Sequence, residues 1–361
     1  MNVAAELPAA VSAGRAQVTT PAPREIWWDL AERDADLSVT QTPAWLDCLC
    51  ATGPHRDASR LYAFPGGGLV VLPLVSRGRR PRRLDAEESW PAGWGIGGPL
   101  ASAGVGPDQA RVVFQDLARR PALRVAVRLR PQGAALWAGA AGGAFRLEHH
   151  TTQAIDLDGG FGTVWRDRFH QRVRRDVKRA EKAHVDVEVD RSGRLVPVFQ
   201  ELYDRSIDRW AVQQHEPRAL ARWRRRLEFP PERLAAVAAR FGASCSLWAA
   251  WNRGEPAAAL VVLRHGPHAK FWRAAMDREV AHPVRATPLL YRLAIEDACE
   301  QGCRTFDLGE SAPGSSLEHF KAGFGAVSRP SPRYWRETLP VSAAERSLRT
   351  AVKRAIRFQD A

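Results

Sequence analysis

The chain has 361 residues, 45% of them apolar and 26% charged, a balance that excludes collagen-like, coiled-coil and wholly disordered classes and a length that suits two domains. Lys+Arg number 53 against 40 Asp+Glu, a net charge of +13, and no run approaches the ~20 apolar residues of a membrane-spanning helix. Only five of those cations are lysines, Lys178, Lys182, Lys270, Lys321 and Lys353, so a general preference for arginine accounts for most of the excess.

Met1 to Pro23 lacks a basic start followed by an apolar core, so a secretory signal is not expected; residues 1–23 read as a disordered lead rich in Ala, Val and Pro. Helices are predicted over 24–33 and 44–50, the second after Thr42-Pro43 with Thr42 as cap. Apolar runs at 59–64 and 69–75 are split by Pro65-Gly66-Gly67-Gly68, a hairpin signal. A Gly/Trp/Pro loop spans 90–98, a helix 108–118, and strands 124–129 and 153–157. Gly159-Gly160-Phe161-Gly162 then leads into a long basic helix ending near Lys182, followed by a strand at 185–189.

The second half repeats this order. Helices are predicted over 195–209, 217–228 and 231–241, the last two opened by proline. Strands at 244–251, 257–264 and 269–276 form a three-stranded antiparallel meander. A helix over 287–301 stops at Gly302. A strand at 304–308, a short helix at 317–324 and a strand at 333–337 complete the unit. Two copies of one α/β unit is the economical reading, with residues 24–190 and 191–338 as domains divided at the polar turn Asp190-Arg191-Ser192-Gly193. The tail, 339–361, is expected to be a basic amphipathic helix with Leu348, Val352, Ala355 and Ile356 on one face.

Charge is concentrated in Arg77–Arg83, Trp165–Lys182 and Pro340–Ala361, which together carry the whole net +13. Such patches suit a polyanion, either tRNA, a nucleotide-linked substrate or acidic lipid, or they are solvated basic surface. On the helix before Lys182, Arg172, Arg175 and Arg179 share one face, and Arg174 and Lys178 another. The five cysteines, an odd count in a long chain, point to free thiols in a reducing cytoplasm. Cys299 and Cys303 read as core residues, no ligand pair stands at zinc spacing, and no Gly-x-Ser-x-Gly or phosphate-loop motif is present.

The order β-β-β-α-β-α-β in the second half resembles the GNAT acyltransferase fold. Phe169 to Lys182 (FHQRVRRDVKRAEK) is similar to a basic helix of the FemABX-type and CelD/BioF-like acyltransferases, Arg304 to Glu310 (RTFDLGE) to their strand end, and Leu317 to Gly325 (LEHFKAGFG) to their FK motif. Gly254 to Ala259 matches their hairpin. The resemblance covers 27–337 and is strongest over 247–325. It implies a tandem, double GNAT-like α/β (α+β) fold of two mixed sheets flanked by helices. It also implies an enzyme that forms an amide bond on an amine, a small molecule or a peptide, with aminoacyl-tRNA as donor and no cofactor. An acyl-CoA donor is the alternative; a non-catalytic anion-binding protein is another.

At the matching position Fem-type enzymes carry a functional lysine, so the resemblance assigns Lys321 the positive charge near the reacting carbonyl or a phosphate. Asp307 and Glu310, at the end of a strand, are candidates to accept a proton from the attacking ammonium or to orient it, or else to cap the next helix. Substrate binding is expected from Phe320, Trp272 and Arg285, and phosphate contact from Arg172, Arg175, Lys178 and Arg179. Val284-Arg285-Ala286-Thr287-Pro288-Leu289 matches the coenzyme A loop of GNAT enzymes but lacks its glycines, and Pro288 has no N–H to offer a pyrophosphate. The expected site is cytoplasmic and metal-free, with tRNA as partner and peripheral membrane contact through the basic tail as a further option.

Overall fold

The computed structural model describes residues 11–13, 16–79, 81–91, 93–102, 104–356 and 358. Residues 1–10, 14 and 15 of the expected lead, Arg80 of the first basic patch, Ala92 of the Gly/Trp/Pro loop, and 357 and 359–361 of the tail lie outside the described residues. The chain divides into two compact units, one of residues 1–151 and 329–339, the other of 152–328 and 340–361.

The first unit runs β1 (Val11–Ala13), β2 (Ala16–Thr19), α1 (Arg24–Arg33), α2 (Pro43–Ala51), β3 (Arg56–Asp57), β4 (Arg60–Ala63), β5 (Leu69–Leu72), β6 (Val75–Ser76), β7 (Ala86–Glu88), α3 (Pro107–Ala118), β8 (Arg124–Arg128), α4 (Ala134–Ala140) and β9 (Arg146–Glu148). The second begins with β10 (Thr151–Asp156), α5 (Gly160–Thr163), a π turn at Val164–Arg168, α6 (Gln171–Lys182), β11 (Asp186–Asp190), α7 (Val196–Gln213), α8 (Arg218–Glu228) and α9 (Pro231–Phe241). It continues with β12 (Cys245–Asn252), β13 (Glu255–His265), β14 (His268–Met276), α10 (Arg278–Val284), α11 (Ala286–Glu300), β15 (Thr305–Gly309), α12 (Ser316–Ala322) and β16 (Val327–Pro330). β17 (Arg333–Glu337) returns to the first unit, and α13 (Val341–Ala355) closes the described chain.

Two mixed sheets flanked by helices dominate. The first unit's six strands are ordered β3-β6-β7-β8-β17-β9, with β7 and β8 parallel, beside a smaller antiparallel sheet β1-β2-β4-β5. The second unit has seven strands ordered β11-β12-β13-β14-β15-β10-β16. Over its described residues the expected disordered lead is ordered instead. β2 pairs with β4 from Gln17 to Thr19, and Val18 is buried, because alternate apolar positions at 16 and 18 fit a half-buried strand. The division expected near 190 falls inside the second unit, since β11 pairs along its whole length with β12.

The second unit's core explains how its helices sit. Val173, Val177 and Ala180 form the buried side of α6 at helical spacing and join Leu290 and Ile295 of α11 and Phe306 and Leu308 of β15 in one cluster. The single long helix expected before Lys182 is broken instead. Phe169 and His170 are extended, and the His170 N–H donates to the Gly323 carbonyl at 2.8 Å. A long-range hydrogen bond thus ends one helix and starts the next.

β14 and β15 are parallel, but their pairing covers only His268↔Thr305, Ala269↔Phe306 and Lys270↔Asp307. On its other edge β14 stays paired with β13 as far as Met276, while β15 runs on beside β10 to Gly309. The ladder between β14 and β15 therefore forks after Lys270 and Asp307.

Candidate active site

The fork is held by charge. Lys270 and Asp307 are partners at the last paired position, and the Lys270 ammonium lies 2.6 Å from Asp307 Oδ2. Asp307 Oδ1 accepts from Thr152 Oγ1 at 2.9 Å and from the Gly309 N–H at 2.7 Å. Burial pushes this carboxyl up, but Lys270 and the hydrogen bonds outweigh it, leaving the group below its ordinary range. Both oxygens are engaged, so Asp307 has the geometry of an anchor. Glu310 is exposed, and its backbone carbonyl faces the site.

Lys321 of α12 has only 1% of its surface exposed. Its ammonium donates to the Glu310 carbonyl at 2.5 Å and to the Gly309 carbonyl at 3.2 Å. Burial lowers its pKa, Asp307 raises it and Lys270 lowers it, for a value of about 8. Lys270 and Lys321 are the buried members of the five lysines. The site thus holds two cations and one carboxylate where two strands separate, an arrangement suited to steadying negative charge that develops on a bound group.

Polar contacts fix the segment between β15 and α12. Ser311 Oγ hydrogen-bonds Gln153 Oε1, whose amide nitrogen donates to the Glu318 carbonyl at 3.3 Å. Ser315 caps α12, accepting from the Glu318 N–H at 3.2 Å. Below α12, Phe320 meets the Tyr291 ring edge-on at 5.2 Å, and Tyr291 lies 5.3 Å from Phe324 and 5.2 Å from Phe271. Burial raises the Tyr291 phenol above its ordinary pKa. Phe320 is therefore part of an aromatic cluster supporting Lys321's helix.

Gly325 lets this helix end where it does. Its φ is +82°, and a Cβ there would fall 2.6 Å from Arg168 Cβ and 2.8 Å from the Arg168 carbonyl oxygen. Only glycine meets both demands without displacement.

The other sequence-derived candidates have contacts of their own or face solvent. Trp272 is buried, with its ring edge-on to Phe229 at 5.5 Å, and serves as packing. Arg285 adopts a left-handed conformation (φ +55°) between α10 and α11, where Nε lies 3.4 Å from Asp176 and a terminal nitrogen 3.2 Å from His282 Nε2. Pro288 is the third residue of α11, so this helix start lacks one of its free N–H groups. Arg172, Arg175, Lys178 and Arg179 are all exposed on α6, whereas Arg174 bends back to the Trp165 carbonyl at 3.2 Å.

Sequence reasoning did not single out Lys270, Thr152, Gln153 and Tyr291. Lys270 carried a signal, as one of the few lysines in an arginine-rich chain. Among the described residues no group of three or more His, Cys, Asp or Glu side chains could hold a metal ion, and no helix is long and apolar enough to cross a membrane.

Residues 167–322 match the family model described as "Acetyltransferase (GNAT) domain". No curated protein sequence matches the chain significantly. Among solved structures, the chain is similar to FemX, at 12% identity and a TM-score of 0.62, over 88% of this chain and 96% of that one. It is similar to L-PGS from Bacillus licheniformis at 14% identity and a TM-score of 0.53, covering 89% and 95%. The C-terminal domain of a putative lysylphosphatidylglycerol synthetase from Agrobacterium fabrum matches at 16% identity and a TM-score of 0.50, covering 90% and 96%. These likenesses concern the fold, which is FemX-like, and residues 167–322 carry an acetyltransferase (GNAT) domain.

Proposed function

We propose that the chain transfers an aminoacyl group from aminoacyl-tRNA to an amine, on a small molecule or a peptide, in the cytoplasm. The observation that carries the choice of donor is the start of α11. Where a GNAT enzyme would offer glycine N–H groups to a pyrophosphate, this chain has Arg285 turned toward Asp176 and His282, and Pro288 without an N–H. The exposed cations Arg172, Arg175, Lys178 and Arg179 of α6 support a polyanionic donor.

In this reading the neutral amine attacks the ester carbonyl carbon. A C–N bond forms and the carbonyl oxygen becomes an oxyanion, steadied by the positive charge of Lys321. Collapse breaks the ester C–O bond; the amine gives up a proton and the departing ribose oxygen gains one. The Lys270–Asp307 pair positions the strand ends, and Glu310, exposed beside them, is the group proposed to take the proton. An acyl-CoA donor is the second reading, favoured by the family match itself.

The test is transfer of a radiolabelled acyl group to a panel of amines and amino-terminal peptides, from charged tRNA and from acetyl-CoA. Product that forms from charged tRNA and vanishes with RNase is the expected result. Product that needs acetyl-CoA and ignores RNase would replace the first reading by the second.

A further inference from the structure

α13 is a 15-residue helix in which none of the described residues is buried. Leu348 is 68% exposed and Val352 44%. A helix of this length is marginal in water when nothing packs against it. Its composition nevertheless has two sides. Val341, Ala344, Leu348, Ala351 and Val352 fall on one side at helical spacing, and Arg346, Arg349, Lys353 and Arg354 occupy its flanks and back, against a single acidic residue, Glu345. The Lys353 ammonium sits 4.8 Å from the centre of the ring of Phe358, which lies beyond the helix.

We propose that α13 docks this chain on an anionic lipid surface, with Leu348 and Val352 in the acyl boundary and the basic side chains among the headgroups. Charge complementarity and the apolar stripe together select this occupant. A nucleic acid answers the cations but leaves Leu348 and Val352 in water. A second copy covers the apolar stripe but brings one +13 chain against another. An anionic bilayer surface meets both needs at once. The helix is too short and too charged to cross the bilayer, so it lies in the plane. The proposal is independent of the acyl donor.

The experiment is co-sedimentation of the full chain with phosphatidylcholine vesicles, with and without about 30 mol% phosphatidylglycerol. Binding is expected to be at least about tenfold tighter on the anionic vesicles and to weaken with salt. L348E/V352E should lose about tenfold or more at low salt. R349Q/K353Q should lose severalfold at low salt and approach the wild type at high salt. Because Leu348, Val352 and Arg349 are exposed and no described residue of α13 is buried, both variants should melt as the wild type does. Equal binding to neutral and anionic vesicles, or vesicle binding unchanged by L348E/V352E, would overturn the proposal. So would tRNA binding that responds to R349Q/K353Q without any vesicle binding. A dimer that L348E/V352E converts to monomer, again without vesicle binding, would assign the face to a second copy.

Discussion

Lys321 is a lysine without the usual surroundings of one: buried, bonded to two backbone carbonyls, and with a pKa lowered to about 8 by burial. If its charge steadies the oxyanion, Lys321→Ala should cut transfer by about 10²–10³-fold, and wild-type rate should fall as pH rises through about 8. The neighbours fix the sign of two further shifts. Lys270 lowers this pKa and Asp307 raises it, so Lys270→Met should move the descending limb of the pH–rate profile upward and Asp307→Asn should move it downward. A limb that stays in place in both variants would assign it to another group. Stability follows the same proton. Between about 8 and 10.5 the unfolded chain holds the proton and the folded chain releases it. Stability from this group therefore rises with pH across that window and is flat below it; urea midpoints of the wild type and Lys321→Met compared from pH 7 to 10, a range spanning about 8, test this. Lys321 was legible from its motif. Lys270 stood out as one of few lysines, but its pairing with Asp307 was not legible, because the two lie 37 residues apart in the chain and only strand register brings them together.

At the scale of elements, the residues that lead into α6 and those that follow α12 meet through backbone. The His170 N–H donates to Gly323, and Gly325 passes close to Arg168 with a positive φ. Gly325→Ala adds a Cβ where backbone already stands and leaves the residue in a left-handed conformation, so it should cost about 1–3 kcal/mol, read as a lower urea midpoint. Packing at α12 would then loosen and activity should fall with it. The outer side of α6 makes a separate prediction. Arg175→Glu with Arg179→Glu reverses two exposed charges, so tRNA affinity should drop, and the salt dependence of binding should become shallower by about two counterions. Unchanged affinity would remove α6 from the donor site. The buried stripe Val173, Val177, Ala180 and the basic outer side were both legible from 3.6-residue spacing. The break at Phe169 and His170 was not, since its cause is a hydrogen bond to a residue about 150 positions away.

The whole molecule shows why the sequence misplaced its own division. The turn at Asp190 is real: its carboxylate accepts from the Ser192 and Leu195 N–H groups. Yet a well-formed turn marks a domain boundary only if the strands on either side belong to different sheets, and β11 pairs with β12 across it. The actual division lies between 151 and 152, and the first unit is completed only by β17, which follows residues 152–328 of the second unit. β17 pairs with β8 on one side and β9 on the other, and its Tyr334 is buried with its ring 5.3 Å from Phe114. The first unit's sheet therefore depends on residues encoded near the end of the chain. Ending the chain after Ser328 removes β17 with the second half of β16 and exposes both strand edges that β17 covers; ending it after Leu339 removes only α13 and its flanking residues. The first truncation should abolish amide-exchange protection at Val125–Val127 while leaving β12 and β13, which pair with each other along their length, protected. The second should leave both regions as in the full chain. If Val125–Val127 stay protected after truncation at Ser328, β8 is held by β7 and the helices alone, and the interleaving of the two units is dispensable for the first one's stability.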